Sequence, residues 1–71
     1  MQQYSVIRDG KEFCVQMYRS GNADVFYKIV NPRTGKGWQK ARDLQHFEGP
    51  RAQARAMVAW MKAARLVGGR S

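Results

Sequence analysis

The sequence predicts an α+β domain in which three or four antiparallel strands in a meander pack on one C-terminal helix. Three short runs of β-forming residues are separated by strong turn signals at Asp9-Gly10, Ser20-Gly21-Asn22 and Asn31-Pro32-Arg33-Thr34-Gly35. A tail rich in Ala, Met, Gln, Lys and Arg then follows Gly49-Pro50 and runs to Gly68-Gly69. At 71 residues the chain has room for one small core, so residues 1–71 are read as a single small basic domain.

The elements follow in order. Tyr4-Ser5-Val6-Ile7-Arg8 is the first strand, and Asp9-Gly10 is a two-residue hairpin loop whose central positions tolerate positive φ. Glu12–Tyr18 alternates, with Phe13, Val15 and Met17 on one side and Glu12, Cys14, Gln16 and Tyr18 on the other. Val25–Val30 is a third strand. Proline and glycine in residues 31–37 end it. Residues 38–47 are ambiguous. With period two, Trp38, Lys40, Arg42 and Leu44 share a face, which predicts a fourth strand over residues 37–42 and then a loop.

The helix is predicted over residues 50–67, with Gly49 as N-cap and Pro50 in the first helical position. Steps of 100° place Ala54, Met57, Val58, Trp60, Met61, Ala64 and Val67 on the face expected to meet the sheet. Arg51, Arg55, Lys62 and Arg65 form a stripe beside it. Ala52, Ala56, Ala59 and Ala63 are left on the remaining arc, either as good helix formers or as a contact for a homodimer.

Charge narrows the function. Residues 1–27 carry Arg8, Lys11 and Arg19 against Asp9, Glu12 and Asp24 and are neutral. The net charge of +8 therefore lies in residues 28–71, where ten Lys and Arg face only Asp43 and Glu48. Such a field draws polyanions, and nucleic acid is the first candidate because neutralised phosphates release counterions.

The best constellation is Arg33, Lys36, Trp38, Lys40 and Arg42 on the second hairpin and the strand after it, with Trp38 available to stack on a base. Arg19 and Lys28 on the sheet, and Arg51 and Arg55 at the helix start, complete the candidate binding set. The last two oppose the helix dipole, which marks a demand for positive charge there.

Other chemistry has little material. One Cys and one His exclude a disulfide framework and make a zinc site improbable, and no cofactor or metal is implied. Cys14 has no basic sequence neighbour to activate it, and His46 near Asp43 has no nucleophile at a useful spacing, so no catalytic residue and no enzyme are expected. No apolar run reaches the ~20 residues of a membrane span, and no secretory leader is evident, which predicts a cytoplasmic protein without membrane contact.

The order of Asn31-Pro32-Arg33-Thr34-Gly35, a Trp-bearing strand and a helix with Ala59-Trp60-Met61-Lys62-Ala63-Ala64-Arg65 resembles the AP2-like DNA-binding domain over roughly residues 24–66. That family includes plant AP2-type transcription factors and the arm-type DNA-binding domains of phage and transposon integrases. The resemblance implies a sheet laid in the major groove, its exposed face contacting DNA through Arg, Lys and Trp. The chain departs from the family in a longer Phe47-to-Trp60 stretch, in Gln45-His46-Phe47 replacing a Gly-Thr-Phe turn, and in having only Arg19 where the first strand is arginine-rich.

Two function classes follow. One is a module of a phage or mobile element that binds nucleic acid, double-stranded DNA ahead of RNA, through the open sheet face and second hairpin. The other is a small anti-defence inhibitor, similar in kind to anti-CRISPR proteins, that docks on an acidic host protein or ribonucleoprotein surface.

Overall fold

The computed structural model describes residues 2–65. It is an antiparallel sheet in the order β1-β2-β3-β4, followed by one helix: β1 Gln2–Arg8, β2 Lys11–Met17, β3 Ala23–Asn31, β4 Lys36–Phe47 and α1 Ala52–Ala63. The α+β class and the meander are as the sequence predicts. The first loop has φ of 54° at Asp9 and 75° at Gly10, the paired positive values that a tight hairpin loop demands.

β4 is where the sequence reading needs correction. The segment 43–47 is strand, not loop, and pairs with the start of β3 as far as Phe47 opposite Ala23. Twelve residues of β4 lie against nine of β3, and the register slips three times, passing over Trp38, Ala41 and Leu44. Each slip is a bulge that adds twist and resets which face the next side chain joins. Lys40 is therefore opposite Lys28 while Arg42 is opposite Tyr27, neighbouring β3 positions on opposite faces. The unbroken alternation expected of Trp38, Lys40, Arg42 and Leu44 is interrupted, because the register passes over Trp38 and Leu44 themselves.

The helix also differs. Pro50 and Gly49 precede it rather than open it. Gly49 has φ of 89°, its carbonyl accepts the Ala52 N–H, and the N-cap is Arg51 in the left-handed region at φ 60°. The proposed stop at Gly68-Gly69, like Leu66 and Val67, lies outside the described residues, and the helix ends with Ala64 as C-cap.

Its sheet-facing side joins half of the alanine arc, Ala52 and Ala56, to Trp60 and Ala64 from the expected face. Ala52, Ala56, Trp60 and Ala64 are buried, Met57 and Met61 are half-buried, and Ala54 and Val58 are exposed. Val15, Met17, Val25 and Phe47 are the sheet's contribution to that core. Large side chains from the sheet need a close helix backbone, and alanines permit that approach, so Met57 and Met61 pack at the margin of the core and Val58 is turned outward. This removes Ala52 and Ala56 from any dimer surface.

Cys14 and Phe26 are buried as well but belong to the opposite face, outside the main core cluster. The Cys14 thiol is pushed up from its ordinary pKa of 9.0 by burial and then by Glu12, partly offset by Lys28, which keeps it an unreactive packing group.

Candidate nucleic-acid interface

The meander places both tight hairpins at one end of the sheet, and the helix returns its last turn to that same end. The helix starts with Gln53 Nε2 donating to the Tyr18 carbonyl at 2.8 Å, beyond the far end of β2. One face later, Trp60 Nε1 donates to the Phe13 carbonyl at 2.9 Å. Ala63, Ala64 and Arg65 then reach Arg8, Asp9 and Lys11, around a small cavity of about 130 Å³. The two hairpins are tied side by side by the Val30 N–H, which donates to the Gly10 carbonyl at 3.0 Å.

This arrangement sorts the charges in a way the linear halves do not. At the hairpin end stand Arg8, Lys11, Lys28, Arg33, Lys36, Lys62 and Arg65 with only Asp9 and Glu12 against them. At the opposite end, Arg19, Arg51 and Arg55 are matched by Asp24, Asp43 and Glu48. With Lys40 and Arg42 in the middle of β4, the larger part of the excess charge, seven cations against two acids, is at the hairpin end.

The second hairpin is held rigidly enough to present its cations. Asn31 Oδ1 accepts the Arg33 N–H at 2.8 Å, the Asn31 carbonyl accepts the Gly35 N–H at 2.8 Å, and Thr34 Oγ1 accepts the Lys36 N–H at 3.3 Å. The asparagine turns the chain locally, Pro32 presets the next φ, and Gly35 takes φ of 73°. Arg33 and Lys36 project from this loop, both exposed.

Trp38 follows at the first bulge and is 65% exposed. Its indole is left to water, while the core takes Trp60 instead. Within this end Glu12 is held by Ser5, whose hydroxyl donates to Oε2 at 3.0 Å. Its Oε1 lies where a Cβ on Gly37 would sit, 2.1 Å from that position. The acid thus crosses the sheet over the bare glycine, beside the stem of Lys28.

The expected site residues divide. Lys28, Arg33, Lys36 and Trp38 belong to the hairpin end. The backbone at position 40 is opposite Lys28, and Arg42 is on the other face opposite Tyr27. Arg19, Arg51 and Arg55 are at the far end, with the Arg55 guanidinium 5.5 Å from the Phe47 ring. Sequence reading passed over Arg8 and Lys11, because the neutral total of the first half hid them. Of the helix stripe, Lys62 and Arg65 are the pair nearer the hairpins, whereas Arg51 and Arg55, selected because they oppose the helix dipole, are at the other end. The available signal was the hairpin register itself, which brings residues 8–11 and 31–36 to one end.

The far end holds the other polar cluster. His46 is not paired with Asp43 as a dyad would need. Its Nδ1 meets Asp24 and its Nε2 lies 2.9 Å from Glu48, while the Tyr18 hydroxyl donates to Asp24 at 2.6 Å. Both carboxylates raise the His46 pKa above its ordinary 6.5, the Asp24 hydrogen bond most. Because the folded value is the higher one, protonation contributes stability that is fully present below about 6.5 and fades as pH rises through the folded value. Melting temperature should therefore decline on raising pH from the acid side of that window through it, and His46→Gln should flatten the decline.

A shallow groove of about 500 Å³ beside His46 is lined by Asp24 and Asp43, a poor match to phosphate. Among the described residues no group of His, Cys, Asp and Glu has the makings of a metal site, and no helix is long and apolar enough to cross a membrane. No family model, curated protein or solved structure matches the chain.

Proposed function

We propose that the protein binds nucleic acid, duplex DNA first, through the end of the sheet that carries both hairpins and the last turn of the helix. The observation that carries this reading is that seven basic residues, from all four strands, the second hairpin loop and the end of the helix, share one end of the sheet with an exposed tryptophan. Cations spread over some tens of ångströms are suited to successive phosphates, and an indole adds a contact to sugar or base. Asp24, Asp43 and Glu48 at the other end disfavour a polyanion there, which orients the molecule on its ligand. The AP2-like resemblance supplies a setting for the same reading, a DNA-binding module of a phage or mobile element.

Fluorescence anisotropy on duplex DNA, single-stranded DNA and RNA, each titrated with salt, tests it. The expected result is tightest binding to duplex DNA, with log affinity falling against log salt by about 0.9 per phosphate contacted. Neutralising Arg33 or Lys36 should flatten that slope by about one unit each, whereas Arg19→Gln should leave it unchanged. Absence of binding to any of the three at ~50 mM salt overturns the proposal. Retention of a stoichiometric acidic protein from nuclease-treated lysate would then favour the inhibitor class.

A further inference from the structure

The two edges of the sheet are unlike. β4 carries three bulges and a series of charges at Lys36, Lys40, Arg42 and Asp43, the devices that keep an edge from pairing with another chain. β1 has neither. From Gln2 to Ile7 it has no charge, proline or bulge, and its register with β2 is unbroken. Five of those six residues are exposed, including Tyr4 at 42% and Ile7 at 48%.

The hairpin sets which backbone groups face outward. A two-residue loop closes on a hydrogen-bonded pair, here Arg8 with Lys11, so Val6, Tyr4 and Gln2 direct their N–H and C=O groups to β2. Gln3, Ser5 and Ile7 direct theirs away from the sheet. Beside this edge, on the helix side, lies an apolar margin: Tyr4 with its ring 6.3 Å from that of Trp60, Val6, and the half-buried Met57 and Met61.

We infer that β1 is a homodimer interface, at which two copies pair antiparallel about a two-fold axis at Ser5 and form one continuous eight-stranded sheet. The occupant is a second copy because the strand complements itself. About Ser5, the outward groups of Gln3 and Ile7 fall opposite those of Ile7 and Gln3 of the second copy. Tyr4 falls opposite Val6 on the helix side, which also brings the two methionine flanks together. Arg8 falls opposite Gln2, so no like charges meet. The two Arg8 side chains stand about 20 Å apart along the strands, well beyond the ~8 Å screening length at physiological salt. The basic ends then project in opposite directions, and the net charge of each copy does not prevent pairing.

Sedimentation velocity of the wild-type chain at tens of micromolar should give the mass of a dimer, unchanged at high salt. Ser5→Pro removes an outward N–H, a change an edge strand tolerates, together with the exposed hydroxyl that donates to Glu12, and should yield a folded monomer by circular dichroism and mass. Should that variant lose its fold, Ser5→Cys with Cys14→Ala decides the matter. Paired residues across the axis have Cα atoms about 5.5 Å apart, within disulfide range, so mild oxidation should give a covalent dimer. A monomeric wild type, a dimer that survives Ser5→Pro, a dimer dissolved by salt, or failure of the Ser5→Cys crosslink overturns the inference. A dimer dissolved by salt would point instead to contact between the basic end of one copy and the carboxylates of another.

Discussion

Trp60→Ala should remove most of the stability of this domain. Trp60 is the large side chain that the helix buries most fully against the sheet, 8% exposed between the alanines at 56 and 64. Its ring also contacts Tyr4, and its indole N–H satisfies the Phe13 carbonyl. Truncating a buried tryptophan costs about 3–5 kcal/mol, and a domain of this length has in total only about 4–10 kcal/mol at the usual ~0.05–0.15 kcal/mol per residue. Ala56 and Ala64, its neighbours one turn away, have no longer side chain to fill the hole, and Met57 and Met61 already occupy the margin of the core. Thermal melts followed by circular dichroism should show Tm lower by roughly 15 °C or more, or no cooperative transition. A shift of only a few degrees would mean that the helix is held by something other than this contact.

Trp38→Ala should have the converse profile. The side chain is largely in water, on a bulge that leaves it outside the ladder, so its loss should alter stability by no more than about 0.5 kcal/mol. Affinity for nucleic acid should fall by about 1–3 kcal/mol, the usual worth of an aromatic stacking contact. Unlike the cation variants, Trp38→Ala should leave the salt slope unchanged, because stacking releases no counterion. Anisotropy and thermal melts on the same two tryptophan variants thus separate the fold from the site. Equal affinity for wild type and Trp38→Ala would exclude this indole from the interface.

The comparison of Trp38 with Trp60 also shows how far local pattern carries. Turn chemistry was legible throughout the first part of the chain. Asp9-Gly10 and Asn31-Pro32-Arg33-Thr34-Gly35 act through their own dihedrals and side-chain hydrogen bonds, which need no distant partner. β4 was legible only to its midpoint. Its three bulges exist because a twelve-residue strand is matched to a nine-residue one, and that mismatch belongs to the pair. Extending the β3–β4 register from Asn31 opposite Lys36 without bulges would place Asp24 opposite Asp43; the three bulges move that pairing to His46.

On the helix, periodicity identified an amphipathic element and placed Trp60 and Ala64 correctly, but the buried face is rotated from Ala54 and Val58 toward Ala52 and Ala56. Summed hydrophobicity favours Met57, Val58 and Met61, whereas packing chose Ala52 and Ala56. The sheet already supplies Val15, Met17, Val25 and Phe47, and two layers of bulky side chains do not fit in the same space.

By itself, then, the sequence determined the α+β class, the order of elements, the sites of the turns and the size of the positive charge. Each of these depends on short-range propensity or simple composition. Tertiary structure alone decided which arc of the helix is buried, which face each β4 side chain joins, and that Arg8, Lys11 and Arg65 stand beside Arg33 and Lys36. Those are consequences of register and of volume shared between elements, and neither quantity is a property of any one segment.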